Sequence, residues 1–136
     1  MARTVLIVDD VEFVRKTLTE IFTAARYQVV AEAADGVMAI GMYKKFNPDL
    51  VTMDVVMPRL GGIEAVRQIC NHNKEARVIV ISGMGQESLV MEAIHAGAKD
   101  YIVKPFTAED VLKTAERAFV GEVEKGSKQQ QAKEVS

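Results

Sequence analysis

The stretch "VTMDVVMPRLGG", residues 51–62, places a carboxylate where a buried strand reaches the surface. Its first three residues form an apolar run that is typical of a core strand, and Asp54 follows directly. Pro58 and two glycines then interrupt regular structure. A charge at the end of a core strand, followed by an irregular loop, indicates a functional position. The function depends on which other side chains the fold brings beside Asp54.

Four further apolar runs resemble this strand and alternate with helical patterns. They are rich in Val and Ile without clean polar alternation, which is typical of parallel strands buried on both faces. The five runs are residues 4–8, 28–33, 50–53, 77–82 and 100–103. Asp35-Gly36 and Gly97 are expected to begin and end helices. The alternation predicts a doubly wound α/β fold, a five-stranded parallel sheet with helices on both faces.

Composition limits the classes of function. The 136 residues suit one domain, and the formal net charge of −2 argues against a nucleic-acid or anionic-membrane partner. The first residues become acidic too early for a signal peptide, and no apolar run approaches the ~20 residues of a membrane helix. The single cysteine, Cys70, is expected to pack as a small apolar residue in a reducing compartment. We expect a cytoplasmic protein with one domain, residues 1–123, and a polar, disordered tail, residues 124–136.

The carboxyl ends of parallel strands meet at one edge of a sheet, where ligands bind. By strand position, that edge receives three carboxylates, a hydroxyl and an amine, from Asp9, Asp10, Asp54, Ser82 and Lys104. Each side chain alone has an ordinary explanation, as a helix cap, a turn residue or a solvated loop charge. Because clustered carboxylates repel one another, their convergence predicts a site for a cation. Hard oxygen ligands in small number favour Mg²⁺.

The same residues indicate phosphoryl chemistry. A carboxylate can act as a nucleophile and form an acyl phosphate. Asp54 is the candidate because it stands alone on its strand, whereas Asp9 and Asp10 are adjacent and can hold the metal. Mg²⁺ and Lys104 would neutralise the phosphoryl oxygens. A carbonyl in the loop after Asp54, expected to be that of Val56, would complete the metal shell.

Four motifs, "VLIVDD", "TMDVVMP", "VIVISGMG" and "KDYIVKPF", resemble those of response-regulator receiver domains, especially the stand-alone chemotaxis type. The resemblance spans essentially the whole predicted domain. It implies the flavodoxin-like strand order 2-1-3-4-5, which is already known for chemotaxis receivers. It also implies that Asp54 accepts a phosphoryl group from a sensor histidine kinase. The implied Mg²⁺ ligands are Asp10, Asp54 and the Val56 carbonyl, with Asp9 acting through water.

The resemblance further implies a switch. Ser82 and Lys104 would contact the phosphoryl group, and Tyr101 would be the switch aromatic. The Lys104–Pro105 peptide bond would be cis. Side chains two residues after the acceptor and after the hydroxyl affect phosphoryl lifetime in the family; here both are apolar, Val56 and Met84.

A partner-binding face is expected on the fourth helix, the fifth strand and the fifth helix. Apolar residues cover more than half the circumference of the helix at 87–96. One edge of this arc, Leu89 or Met91, should therefore be partly exposed, and Tyr101 would join it. The downstream target would be a protein, with a flagellar motor switch as the candidate in motility signalling.

Other functions fit the sequence less well or share the same site. A phosphorelay shuttle, or a stand-alone regulator with a non-motility target, would differ only in its partner. A phosphatase of the haloacid-dehalogenase type needs a second Asp where Val56 stands. A flavin binder needs a Ser/Thr/Gly-rich phosphate loop after the first strand, where this chain has the acidic "DDVEFVR". We expect a phospho-accepting switch and not an enzyme acting on an external substrate.

Overall fold

A computed structural model describes residues 2–123 of the chain. The polar segment predicted as a tail, residues 124–136, lies outside the described residues. Within them, strands and helices alternate as β1 (Thr4–Val8), α1 (Glu12–Ala24), β2 (Gln28–Ala33), α2 (Gly36–Phe46), β3 (Leu50–Asp54), α3 (Gly62–His72), β4 (Val78–Ser82), α4 (Glu87–Ala96), β5 (Asp100–Val103) and α5 (Ala108–Val123). All neighbouring strands pair in parallel, in the order β2-β1-β3-β4-β5. The predicted fold class and strand order are confirmed.

The sheet separates two apolar layers. Leu6 and Met53 belong to a core cluster that α3 completes, for example with Val66. Ile7 lies next to Leu6 on β1 and faces the opposite cluster, which includes Leu18 of α1. This alternation follows from the two-residue period of a strand. Burying each large side chain of this kind contributes about 1.5–3 kcal/mol of transfer free energy.

The edge strands are less buried than predicted. Every residue of β3 and β4 is buried, but in β2 only Ala33 is, and in β5 only Ile102. The expectation that all five strands are buried on both faces is therefore wrong for β2 and β5. An edge strand has a neighbour on one side only, so solvent reaches it past the last covering helix.

The helix ends predicted from sequence are present. Asp35 caps α2, with its Oδ1 accepting a hydrogen bond from the Met38 N–H at 2.9 Å. Gly97 ends α4 with φ of 128°, a backbone conformation that favours glycine. Cys70 is half-buried and packs against the core, and burial raises the pKa of its thiol. None of the helices in residues 2–123 combines the length and hydropathy needed to cross a bilayer.

Candidate functional site

Three carboxylates meet at the carboxyl edge of the sheet. Strands β1 and β3 are neighbours, with Val8 paired to Met53, so the residues that follow them emerge side by side. Asp9 is fully buried, Asp54 is 8% exposed and Asp10 is open to solvent. One oxygen from each lies within 4.8 Å of the others. The structure thus brings together the acidic residues that the sequence placed at this edge.

Lys104 reaches the cluster from β5. Its backbone N–H donates to the Ser82 carbonyl at 2.7 Å, which ties the end of β5 to the end of β4. Its Nζ donates to Asp9 Oδ2 at 3.2 Å and lies 3.9 Å from Asp54 Oδ2. The peptide bond between Lys104 and Pro105 is cis. One ammonium group thus faces three carboxylates, so the site keeps an excess of negative charge.

This charge imbalance is visible in the acidity of Asp54. Burial first, and the Asp9 carboxylate second, raise the pKa of Asp54 to about 6, against the opposing effect of Lys104. The Val56 N–H donates to Asp54 Oδ1 at 3.3 Å and favours the ionised form. A divalent cation would relieve the repulsion, since it favours the charged form of every carboxylate around it.

The donor set fits Mg²⁺. Carboxylate oxygens are hard ligands, and an exposed member such as Asp10 leaves room for the waters that Mg²⁺ retains. Asp9 is already engaged, because its Oδ1 accepts from the Val11 N–H at 2.9 Å and its Oδ2 accepts from Lys104. The acidic cluster is therefore a candidate metal site. Coordination by the Val56 carbonyl stays a prediction.

Ser82 and Tyr101, on the neighbouring strands β4 and β5, both line one groove. Ser82 is buried at the end of β4, whereas Tyr101 on β5 is 48% exposed. The groove has a volume of about 370 Å³, and Val90 and Met91 of α4 contribute to its lining. The Gly83 N–H donates to Gln86 Oε1 at 2.6 Å, which orders the loop that leaves Ser82. The switch roles of Ser82 and Tyr101 stay predictions, and the groove is the space next to which such a switch would act.

The edge of α4 faces solvent at one of the two expected residues. Met91 is 56% exposed, while Leu89 is half-buried and packs against the core. The sequence pattern could not choose between them because the apolar arc of α4 is so broad. Val56, two residues after Asp54, and Met84, two residues after Ser82, are also exposed.

Two arginines near the site were not identified from sequence. Arg15 Nη1 donates to the Asp9 carbonyl at 2.6 Å, and its Nε donates to Glu32 at 3.1 Å. Arg59, in the loop after Asp54, forms an ion pair with Asp35 at 2.6 Å. A basic residue one helical turn into α1 was a usable signal for Arg15. No local signal connects Arg59 with Asp35, because the pairing depends on how α2 packs beside the loop.

The fold and the site together define a class of protein. It is a flavodoxin-like α/β domain with an acidic, lysine-bearing site at the carboxyl edge of its sheet. Residues 5–116 match the model of the response regulator receiver domain, and the chain belongs to this family. It is a response regulator, a signalling switch.

Similar proteins include several from chemotaxis. Chemotaxis protein CheY of Bacillus subtilis is 48% identical over 119 residues, which cover 88% of this chain and 99% of that protein. Chemotaxis protein CheY of Thermotoga maritima is 49% identical over 112 residues, covering 82% and 93%. A chain of the CheX–CheY–BeF₃–Mg²⁺ crystal structure from Borrelia burgdorferi is 43% identical and aligns with a TM-score of 0.82, covering 86% of this chain and 89% of that one. The alignments thus span almost the full length of these relatives.

Proposed function

We propose that this chain is a response regulator of a two-component system in chemotaxis, and that Asp54 accepts a phosphoryl group from a sensor histidine kinase. The observation that carries the proposal is the meeting of Asp9, Asp10, Asp54 and Lys104 in one site. The 48% identity to a chemotaxis protein over nearly all of that protein supports the pathway. Because the reaction modifies only the protein itself, the chain acts as a switch and not as an enzyme with an external substrate.

In the proposed phosphotransfer step, Asp54 is the nucleophile. An oxygen of Asp54 attacks the phosphorus of a phosphohistidine, a P–O bond forms, and the P–N bond breaks with the electron pair leaving on the imidazole. Lys104, whose Nζ lies 3.9 Å from Asp54 Oδ2, leaves Asp9 and pairs with a phosphoryl oxygen. Mg²⁺, held by Asp10, Asp54 and the Val56 carbonyl with Asp9 acting through water, would supply neutralising charge to the phosphoryl oxygens.

The signal leaves the site through Ser82. Its hydroxyl donates to a phosphoryl oxygen, and this movement opens the inner end of the groove between β4 and α4. Tyr101 rotates from its exposed position into that space. The surface formed by Tyr101, Met91 and the neighbouring part of α5 then changes shape, so phosphorylation shifts a two-state equilibrium.

The partners follow from this cycle. The phosphodonor is a sensor histidine kinase, and the receiver of the signal is a protein that binds the altered face, with a flagellar motor switch as the candidate. A phosphorelay shuttle would use the same site but would pass the phosphoryl group on to a histidine phosphotransfer protein. Identity to chemotaxis proteins favours the first of these.

Intact-mass spectrometry tests the acceptor directly. Full-length wild type, Asp54→Asn and the control Asp110→Asn are incubated with acetyl phosphate, with and without Mg²⁺. We expect one phosphoryl adduct on wild type and on Asp110→Asn, only with Mg²⁺, and none on Asp54→Asn. An adduct that survives in Asp54→Asn would refute the acceptor. If wild type shows none, beryllofluoride binding distinguishes a short-lived acyl phosphate from a site that does not form.

A further inference from the structure

The loop that follows Asp54 is held from outside by the start of α2. Arg59 Nη2 lies 2.6 Å from Asp35 Oδ2, and Arg59 Nε donates to the same oxygen at 2.9 Å. Beside this pair, the Gly36 N–H donates to the Leu60 carbonyl at 3.0 Å. We call these two contacts, Asp35–Arg59 and Gly36–Leu60, the α2 clamp.

The α2 clamp is closely fitted. A Cβ at Gly36 would lie only 2.4 Å from the Leu60 oxygen, so no larger residue fits without moving the loop. Asp35 is 5% exposed, and the Met38 N–H, together with the Arg59 guanidinium, lowers the pKa of its carboxyl. Arg59 has a φ of 67°, which is uncommon for a side chain of its size and persists only where the surroundings hold it.

The other end of the loop is fixed equally tightly. The Gly62 N–H donates to the Val55 carbonyl at 3.2 Å, and a Cβ at Gly62 would lie 2.0 Å from the backbone carbonyl oxygen of Asp54. The short segment that contains Val56 is therefore pinned by α3 at one point and by the α2 clamp at another. Val56 lies between these two attachments, which are at Val55 and at Arg59 and Leu60.

We propose that the α2 clamp positions this loop for metal binding, so that Asp35, Gly36 and Arg59 set the Mg²⁺ affinity without touching the ion. The inference rests on the magnesium site of the proposed function. Groups that orient metal ligands from outside typically contribute about 10–100-fold in affinity. The three residues are positioning residues, because they act through the backbone of the loop.

The charge of Arg59 and its contact with Asp35 predict opposite effects of a substitution on the Mg²⁺ affinity. Substitution Arg59→Gln removes a positive charge from the loop beside the cluster, and Coulomb repulsion alone would then let Mg²⁺ bind more tightly. Loss of the α2 clamp predicts weaker binding instead. Gly36→Ala changes no charge and acts only through the close contact with Leu60. If both variants bind Mg²⁺ more weakly than wild type, the effect therefore comes from the geometry of the loop and not from the lost charge.

Isothermal titration of Mg²⁺ into the full chain tests the proposal, with circular dichroism to verify folding. The controls are Arg67→Gln, which breaks a surface pair with Glu64 on α3, and Gly41→Ala, on α2 where an added Cβ meets nothing within 4 Å. We expect Arg59→Gln and Gly36→Ala to bind Mg²⁺ about 10-fold more weakly than wild type, and both controls to bind as wild type does.

Each outcome decides the question. Equal affinity in wild type and Arg59→Gln, or tighter binding in Arg59→Gln, overturns the α2 clamp while leaving the magnesium site intact. Absence of Mg²⁺ binding in wild type overturns the magnesium site itself, and the clamp with it. If Gly36→Ala does not fold, Arg59→Gln against Arg67→Gln still decides, because both arginine variants remove one exposed positive charge.

Discussion

Asp54 lowers the stability of the metal-free protein, because its carboxylate is buried beside Asp9. Its folded-state pKa of about 6 lies above the ordinary value of 3.8. Between these values the folded protein holds a proton that the unfolded chain has released. The free energy of unfolding therefore falls as pH rises from about 4 to about 6, and it stays lowered at higher pH.

Asp54→Asn should remove this pH-dependent loss. In the presence of a chelator at pH 8, we expect the variant to be more stable than wild type by about 1–3 kcal/mol. At about pH 3, below both pKa values, the two should be equally stable, because Asp54 is then protonated in the folded and in the unfolded state. Urea unfolding followed by circular dichroism at both pH values measures the difference.

Asp110→Asn is a control for which we expect a stability change of the opposite sign. The Thr107 N–H donates to Asp110 at 3.0 Å, and this bond lowers the pKa of the Asp110 carboxyl. Its stabilisation is present above the ordinary pKa and is lost as pH falls through the lowered value. Asp110→Asn should therefore be less stable than wild type at pH 8. A stability difference for Asp54→Asn that does not change with pH would contradict the account of its burial.

Lys104 is the counter-charge of the acidic cluster when no metal is bound. Replacing it in Lys104→Met leaves Asp9 buried beside another carboxylate, and breaking a buried pair costs about 3–5 kcal/mol. In chelator, we expect Lys104→Met to have a lower melting temperature than wild type. Mg²⁺ should restore most of this decrease. Lys113→Met, which breaks an exposed pair with Glu109 on α5, is the matched control and should change little. Equal decreases in melting temperature for Lys104→Met and Lys113→Met would show that Lys104 does not act as the counter-charge of the acidic cluster.

At the scale of helices, two glycines should respond oppositely to alanine. Gly41 lies inside α2 with open space around an added Cβ, so Gly41→Ala should stabilise the protein by about 1 kcal/mol. Gly97 ends α4 at φ of 128°, and its Cβ would lie 2.7 Å from Cys70 Sγ. Gly97→Ala should destabilise by about 1–3 kcal/mol. Urea unfolding of both variants measures the change in the free energy of unfolding, and a change of the same sign in both would contradict this account.

The elements were predictable because each carries its own local signal. Apolar runs predicted the strands, and Asp35 and Gly97 predicted helix ends that the structure confirms. Composition does not report which strand lies at an edge, so the exposure of β2 and β5 could be inferred only from the strand order that the family resemblance implied. Strand order came from the family resemblance and not from any local pattern.

The site also contains some features that could be predicted from sequence and others that could not. Residues at strand ends could be placed from topology alone, because parallel strands bring their carboxyl ends together. Contacts between helices and loops could not. Asp35 and Arg59 are 24 positions apart, and only the packing of α2 beside the loop brings them together. Arg15 is similar, since its hydrogen bond to the Asp9 carbonyl depends on the angle at which α1 leaves the sheet.

Across the whole molecule, the described arrangement is the one from which the proposed switch would start. Lys104 is engaged with Asp9, Ser82 is buried, and Tyr101 lines the groove with its side chain half exposed to solvent. A phosphoryl group on Asp54 would attract both Lys104 and Ser82, which favours a second arrangement. Changing an equilibrium from 1:99 to 99:1 needs about 5.5 kcal/mol of differential interaction. A few charge-assisted hydrogen bonds at about 1.5–3 kcal/mol each can supply that amount.

Beryllofluoride with Mg²⁺, which imitates the phosphoryl group, should therefore bury Tyr101. The chain has three tyrosines and no tryptophan, so acrylamide quenching of tyrosine fluorescence reports on Tyr27, Tyr43 and Tyr101. Tyr43 is buried at 2% exposure and contributes little to the change. We expect quenching of wild type to fall on activation towards the level of Tyr101→Phe, in which the exposed ring has lost its hydroxyl and its tyrosine emission.

Two variants make this experiment decisive. Asp54→Asn should show no change with beryllofluoride, because the acceptor carboxylate is missing. Ser82→Ala keeps the acceptor but lacks the hydroxyl that draws the loop inward, so it should bind beryllofluoride while Tyr101 stays exposed. If Tyr101 becomes buried in Ser82→Ala as fully as in wild type, the hydroxyl does not transmit the signal. The groove beside β4 would then be filled by a motion that starts elsewhere, with the movement of Lys104 from Asp9 to the phosphoryl group as the remaining link to the acceptor.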